Sequence, residues 1–238
     1  MLNKKLSGEV YYPSEEIIQK AHIKDWDALD KQAKKDYPGF WSEMAEELHW
    51  FQKWDKVIDD SDKPFYKWFT GAKTNIVYNC LDVHVKTFRR NKLALIWEGE
   101  NGESKTYSYF ALHRETCKFA NVLKSMGVQK GDRVTIYMGR TPEIVIAMLA
   151  CARIGAIHSV VFAGFSSDAL KDRIQDSSAG LLITSDGSFR NGKIVPLKDN
   201  ADIALKECPT IKNAIVVKRT GNNVSMTERD SWCHDLMN

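Results

Sequence analysis

Two segments of the sequence combine glycine with residues that could bind a phosphorylated ligand. The first runs from Val161 to Ser166 and the second from Ser185 to Lys193, which contains two glycines together with Arg190 and Lys193. Glycine lets a backbone approach a ligand closely. A guanidinium offers a planar fork that matches phosphate, and a lysine adds a mobile charge. The second segment is therefore a candidate for phosphate binding, but basic residues in a glycine-containing turn are most often simply exposed to water, and the pattern alone leaves both interpretations open.

The motifs of several common enzyme classes are absent. The sequence contains no GxGxxG, no GxxxxGK[ST] and no GxSxG, which disfavours a dinucleotide-binding dehydrogenase, a P-loop protein and an α/β hydrolase. The six histidines have no metal-like spacing, and no two of the five cysteines form a CxxC pair. We therefore expect no metal site. The odd number of scattered cysteines predicts a reducing, cytoplasmic location.

The elements that must position both segments alternate between strand and helix after residue 86. Apolar strand patterns are predicted at residues 93–97, 133–138, 156–162, 181–184 and 214–217. Helical spacing separates them, with predicted N-caps at Ser108, Thr141 and Ser166 or Ser167, and glycine stops at Gly127 and Gly155. This alternation predicts an α/β fold with a mostly parallel, doubly wound sheet and flanking helices. Both glycine-containing segments follow a strand, where such sheets bind ligands.

Residues 1–86 have a different character. This stretch holds five of the seven tryptophans, short helical patterns and no alternating strand pattern. We predict a helical or irregular cap segment at 1–86, followed by a larger domain at 87–238. The tryptophans are expected to be packing anchors rather than an aromatic ligand box, because large rings commonly fix an irregular segment.

The overall charge argues against two classes of partner. The chain has 34 basic and 31 acidic residues, a net charge of +3, and no apolar run near the length of a membrane helix. A membrane helix needs about 20 apolar residues, and a nucleic-acid surface is usually strongly basic. We therefore expect neither nucleic acid nor a membrane as a partner.

One long stretch and several short ones resemble a known family. The stretch Met148–Phe162 closely resembles AMP-forming acetyl-CoA synthetases of the adenylate-forming superfamily. Further pieces fit the same family in order and spacing: Asn79–Asp82, Ile96–Gly99, Gly131–Val134, Ile183–Asp186 and Trp232–Leu236. The resemblance covers most of the chain and implies the large domain of the adenylate-forming fold.

The resemblance also implies an activity. Family members join acetate to CoA at the expense of ATP, with Mg²⁺, through an acetyl-adenylate, and release AMP and pyrophosphate. Their lysine-containing phosphate loop, acyl pocket and catalytic lysine have no counterpart in residues 1–238. The resemblance therefore implies the amino-terminal portion of such an enzyme, an incomplete large domain without catalytic residues. It is expected to be inactive alone, with the carboxy-terminal portion of the same chain as its missing partner.

The resemblance implies that this sequence contains the part of the family's site that contacts CoA. Arg190-Asn191-Gly192-Lys193 matches the family's Arg-x-Gly-[Arg/Lys] turn, which meets the nucleotide phosphates of CoA. The family's loop beside the CoA adenine matches Phe162, Ala163 and Gly164, where Ala163 replaces the more usual glycine. Two alternatives stay open: a propionate or other short-chain acyl-CoA synthetase, and a non-catalytic CoA- or protein-binding module.

Overall fold

The computed structural model describes residues 12–238. The chain divides into two compact units, Met1–Lys73 and Thr74–Asn238. The domain boundary expected from the residue pattern, between residues 86 and 87, stays a prediction.

The described part of the first unit contains three short helices and a hairpin. The helices are α1 (Glu15–Lys20), α2 (Trp26–Lys35) and α3 (Tyr37–Ala45), capped by the side chains of Ser14, Asp25 and Asp36. Strands β1 (Lys56–Asp59) and β2 (Lys67–Thr70) pair antiparallel. The sequence pattern did not predict this hairpin, because four residues are too few to show a clear alternation.

Aromatic rings pack against one another within this unit. The rings of Trp50, Trp54 and Phe69 lie with centroids 5.1 to 5.2 Å apart. The Trp50 indole N–H also donates to the carbonyl of Ala45 at 2.8 Å. These contacts agree with the predicted role as packing anchors.

The second unit contains all the remaining elements. It begins with a π-helical turn at Tyr78–Asp82, α4 (Val83–Val85) and a 3₁₀ turn at Phe88–Asn91. The strands are β3 (Leu93–Glu98), β4 (Ser104–Ser108), β5 (Arg133–Met138), β6 (Ile157–Phe162), β7 (Leu181–Ser185), β8 (Ser188–Arg190), β9 (Lys193–Val195), β10 (Asn213–Val217) and β11 (Asp230–Trp232). The helices are α5 (Tyr109–Ser125), α6 (Pro142–Ile154), α7 (Ser167–Ser177), α8 (Leu197–Leu205) and α9 (Cys233–Leu236).

Five strands form one parallel sheet in the order β11-β10-β7-β5-β6. This confirms the predicted α/β fold with a doubly wound parallel sheet. The predicted strand at residues 93–97 does not join this sheet. It forms β3, which pairs antiparallel with β4 in a separate hairpin.

The core lies on both faces of the parallel sheet. Val134, Ile136 and Met138 of β5 are buried in the cluster that includes α5 and α6, whereas Tyr137 is buried in the cluster that includes α7 and α8. Successive side chains of a strand point to opposite faces, so a central strand with helices on both sides is almost continuously apolar, with Thr135 as the buried polar residue of β5.

Most predicted helix ends are confirmed, with one correction. The hydroxyls of Ser108 and Ser166 accept from the N–H groups of Ala111 and Ala169. Gly155 ends α6 with a left-handed φ of 79°. Thr141 occupies the N-cap position of α6 but makes no capping bond, and its Oγ1 is buried without a hydrogen-bond partner among the described residues. None of the described helices is long and apolar enough to cross a bilayer.

Candidate phosphate-binding site

The two glycine-containing segments meet in space. We call Phe162–Ser166 the aromatic loop and Arg190–Lys193 the basic turn. The Arg190 guanidinium carbon lies 5.4 Å from the centroid of the Phe162 ring. A Cβ atom built on Gly164 would lie 2.4 Å from Arg190 Nη1. The structure thus brings Phe162, Gly164 and Arg190 together, although more than twenty residues separate the segments in the sequence.

The basic turn closes a hairpin rather than lying within an irregular loop. Strands β8 and β9 pair antiparallel, with Arg190 opposite Lys193. Asn191 and Gly192 take positive φ values of 52° and 71°, the conformation of the two-residue turn for which Asn-Gly is strongly preferred. Gly192 is therefore explained by the geometry of the turn, without a ligand that approaches its backbone. The Asn-Gly pair was the sequence signal for this hairpin.

Arg190 and Lys193 lie on one face of this hairpin, because residues directly opposite each other in an antiparallel pair share a face. All four residues of the basic turn are exposed. Two like charges directly opposite each other are destabilising. An anion placed between or beside them lowers that repulsion, so the arrangement favours anion binding.

A cavity of about 600 Å³ lies at the carboxyl ends of β5 and β6. Four predicted residues line it: Phe162, Ala163, Gly164 and Arg190. The other three, Asn191, Gly192 and Lys193, are not part of its lining. The wall also includes residues that were not among the predicted site residues: Glu98, Glu100, Arg140, Thr141, Phe189 and Arg219. Apolar and aromatic walls with a few charged groups are typical of a small-molecule site.

Tyr137 holds the aromatic loop through its hydroxyl group. Its buried hydroxyl donates to the carbonyl of Phe165 at 2.8 Å and lies 3.4 Å from that of Ala163. Burial raises the pKa of the Tyr137 hydroxyl, so it remains a donor at neutral pH. A core residue of β5 thereby sets the path of a loop at the cavity.

Asp186 fixes the chain around the second segment. Its carboxylate is fully buried and accepts the backbone N–H groups of Gly187, Arg219, Thr220 and Gly221 at 2.7 to 3.0 Å. Charge-assisted bonds of this kind are the strong ones in proteins. Asp186 therefore ties the start of the β8–β9 hairpin to residues 219–221. An acidic residue directly after a buried strand was the available signal for it.

Arg219 brings a second guanidinium to the cavity wall. It makes two hydrogen bonds to the Glu103 carboxylate, at 2.9 and 3.0 Å. Its guanidinium carbon also lies 4.8 Å from the Phe189 ring centroid and 5.1 Å from that of Trp97. The hydrogen bonds from Arg219 lower the pKa of Glu103. Arg219 lies far in the sequence from Glu103, Phe189 and Trp97, so no local pattern predicted these contacts.

Cysteines and metal-ligating groups are not part of this site. All five cysteines are unpaired. Burial raises the pKa of the Cys151 thiol to about 12, so this cysteine is a small buried hydrophobe in α6. Within residues 12–238, no group of three or more His, Cys, Asp or Glu side chains could hold a metal ion.

Comparison with known proteins defines the class of this chain. Residues 81–234 match the family described as AMP-binding enzyme, and the chain belongs to this family. Residues 26–80 match the family described as acetyl-coenzyme A synthetase N-terminus. Both matches confirm the resemblance seen in the sequence.

Curated relatives carry the same name. Acetyl-coenzyme A synthetase of Rubrobacter xylanophilus is 51% identical over 239 residues, which cover 100% of this chain and 37% of the relative. That of Campylobacter jejuni is 50% identical over 244 residues, again covering 100% of this chain and 37% of the relative. The chain therefore spans little more than a third of the length of these relatives.

A solved structure shares the fold. Acetoacetyl-CoA synthetase from Streptomyces lividans superposes with a TM-score of 0.83 at 25% sequence identity. The match covers 90% of this chain and 33% of that one. The described α/β sheet is thus part of a fold that an adenylate-forming synthetase also has.

Proposed function

We propose that this chain is part of an AMP-forming acetate–CoA ligase and that it binds the nucleotide end of CoA. The observation that supports the binding role is the meeting of the aromatic loop with the basic turn at one cavity. The names of the relatives support the ligase and the choice of acetate. The ligase would use acetate, ATP with Mg²⁺, and CoA to form acetyl-CoA through acetyl-adenylate.

The chemistry of the cavity suits the nucleotide end of CoA. CoA carries an adenine ring, a phosphate on its ribose and a diphosphate. An aromatic ring at Phe162 suits a flat base, and the missing side chain at Gly164 leaves room for Arg190 beside that ring. Guanidinium and ammonium groups at Arg190 and Lys193 suit the phosphates. In this proposal Asn191 and Gly192 shape the turn, and Ala163 forms part of the wall beside the base.

In this proposal the chain contributes to CoA binding but not to the formation of acetyl-adenylate. Stabilising a transferring phosphoryl group needs cations and donors aimed at its oxygens. The family's phosphate loop and catalytic lysine have no counterpart in residues 1–238. We therefore propose that residues 1–238 alone form no acetyl-adenylate and act together with the carboxy-terminal part of an acetate–CoA ligase. The unpaired cysteines fit a cytoplasmic location.

Substitution of the two cations tests the binding role. The assay uses the complete ligase proposed to contain this chain. We expect Arg190→Ala to raise its KM for CoA by roughly ten- to a hundredfold, which corresponds to loss of a charge-assisted hydrogen bond. Lys193→Ala should have a smaller effect, because an ammonium makes no bidentate contact. Contacts equal in the ground and transition states change KM more than kcat.

The control reaction is the exchange of pyrophosphate into ATP, which requires acetate but not CoA. Both variants should leave this exchange unchanged. Lys206→Ala, which replaces an exposed lysine just after α8, should leave both reactions unchanged. An unchanged KM for CoA, or an exchange rate that falls as far as thioester formation does, would contradict the assignment.

A further inference from the structure

The turn between β3 and β4 places two carboxylates against the candidate site. Oε1 of Glu100 accepts the backbone N–H of Gly192 in the basic turn, at 2.8 Å. Glu103, three residues later, holds the Arg219 guanidinium. One short turn therefore contacts both the basic turn and the cavity wall.

The Gly192 N–H is a donor that the hairpin itself does not use. No backbone carbonyl of the described chain accepts it, and its recorded partner is the exposed Glu100 carboxylate. A backbone N–H in a tight turn beside basic side chains is a common feature of anion sites. The Glu100 carboxylate thus occupies a position that suits a phosphate oxygen.

The charges around this bond favour an anion. Arg190 and Lys193 lie directly opposite each other on the hairpin, and their mutual repulsion is lowered by a nearby negative charge. Glu100 also lines the same cavity as Arg190. The Glu100 carboxylate, which accepts the Gly192 N–H, brings a negative group to this arrangement.

The two glutamates differ in how firmly they are held. Glu103 makes two hydrogen bonds to Arg219, whose side chain is only 16% exposed. Among the described residues, Glu100 makes one hydrogen bond, to a donor in an exposed turn. The Glu103–Arg219 pair can therefore hold the β3–β4 turn in place while the Glu100 side chain moves away.

We propose that Glu100 is a resident anion of the basic turn, which binds the Gly192 N–H until a phosphate group of the ligand displaces it. Glu100 would then set the affinity of the site, because each phosphate must compete with an internal carboxylate. The proposal depends on the proposed function of the basic turn as a phosphate site. Glu100 could instead only support the site by holding the turn in its binding conformation. The two roles predict opposite effects of removing the Glu100 charge on the affinity for phosphate: tighter binding for a resident anion, weaker binding for a support.

Calorimetric titration with CoA and with inorganic phosphate separates these roles. For Glu100→Gln we expect both ligands to bind roughly three- to tenfold more tightly, because the glutamine oxygen can accept the Gly192 N–H only in a neutral hydrogen bond, which competes less than a charge-assisted one. Glu228→Gln is the matched control, since it removes the same charge from an exposed residue outside the cavity lining. It should leave both affinities unchanged. Unchanged or weaker binding by Glu100→Gln would overturn the proposal.

Arg190→Ala distinguishes failure of this proposal from failure of the proposed function. If Arg190→Ala binds CoA as well as the unsubstituted protein does, the basic turn is not the phosphate site. If Arg190→Ala loses binding and Glu100→Gln does not gain it, only the resident-anion role is wrong. The Gly192 amide resonance gives an independent measurement. Phosphate should shift it in the unsubstituted protein, and Glu100→Gln should shift it before any phosphate is added. An amide resonance that Glu100→Gln leaves in place would also refute the proposal.

Discussion

The guanidinium of Arg190 lies directly against the Cα of Gly164, and a methyl group at Gly164 would come within 2.4 Å of Nη1. The same methyl group would lie 2.5 Å from Cε1 of the Phe162 ring. Gly164 does not have a left-handed φ, so the backbone conformation does not require glycine there. The close approach of two side chains does.

Gly164→Ala tests this packing. Both contacts are to the far ends of side chains, so the added methyl group should move Arg190 and the Phe162 ring with little loss of stability. We expect CoA to bind about tenfold more weakly, equivalent to ~1.4 kcal/mol. Binding and thermal unfolding of the purified variant measure the two effects separately.

The matched control is Gly180→Ala. This glycine lacks a left-handed φ and has no atom within 4 Å of an added Cβ, so neither CoA binding nor stability should change appreciably. Normal CoA affinity in Gly164→Ala would show that the position of Arg190 beside the aromatic loop is unimportant for binding.

Asp186 is expected to control stability around the basic turn. Replacing it with Ala leaves the N–H groups of Gly187, Arg219, Thr220 and Gly221 without their acceptor. An unsatisfied buried donor such as that of Gly187 costs on the order of 1–3 kcal/mol, and the three more accessible donors cost less because water can reach them. We expect Asp186→Ala to lower the free energy of unfolding by about 3 kcal/mol or more in urea titrations.

Asp176→Asn is a suitable comparison, because Asp176 is exposed on α7. Surface substitutions usually change stability by less than about 0.5 kcal/mol. A loss in Asp186→Ala no larger than in this control would show that the four hydrogen bonds do not stabilise the fold.

The parallel sheet could be predicted because its strands are buried on both faces. Residues 134–138 and 181–184 are continuous apolar or β-branched runs bounded by polar and glycine residues, which is typical of such strands. The pairs β1–β2 and β8–β9, and the edge strand β11, have only three or four residues each. Strands that short show no clear periodicity, and tertiary pairing determines where they form.

Part of the candidate site could also be predicted from the sequence. The aromatic loop and the basic turn follow strands and contain distinctive residues, so their positions could be proposed from sequence. The contacts made by Glu100 and Glu103 could not, because they join residues 92 and 116 positions apart. Such contacts depend on the placement of an entire hairpin, which local spacing does not encode.

Lys198 is expected to stabilise the end of the described sheet. Its side chain is fully buried and pairs with the equally buried Asp230 at 3.1 Å, with Asp202 at 2.7 Å, and with the carbonyl of Ser225 at 2.8 Å. Because Asp230 lies in β11 and Lys198 in α8, the ammonium joins the edge strand to a helix. Removing one partner of a buried pair is strongly destabilising, since the other charge stays buried.

Lys198→Met keeps the bulk of the side chain and removes the charge. We expect the free energy of unfolding at pH 7 to fall by about 3 kcal/mol, the lower end of the usual cost, because Arg229 still lies 3.4 Å from Asp230. Urea unfolding measures this loss. Lys206→Met, on an exposed lysine just after α8, should change stability little.

The loss caused by Lys198→Met should also depend on pH. In the unsubstituted protein burial alone would raise the pKa of Asp230, but hydrogen bonds from Thr227 and Lys198 outweigh burial and lower this pKa below its usual value. Asp230 therefore contributes stability above its unfolded pKa, and this contribution is lost as the pH falls through the folded value. Without Lys198 the folded pKa rises, so acid protonates Asp230 in the variant first and relieves its buried charge. The difference in unfolding free energy between the two proteins should shrink from pH 7 to pH 4.5, whereas a constant difference would mean that Lys198 acts through packing alone.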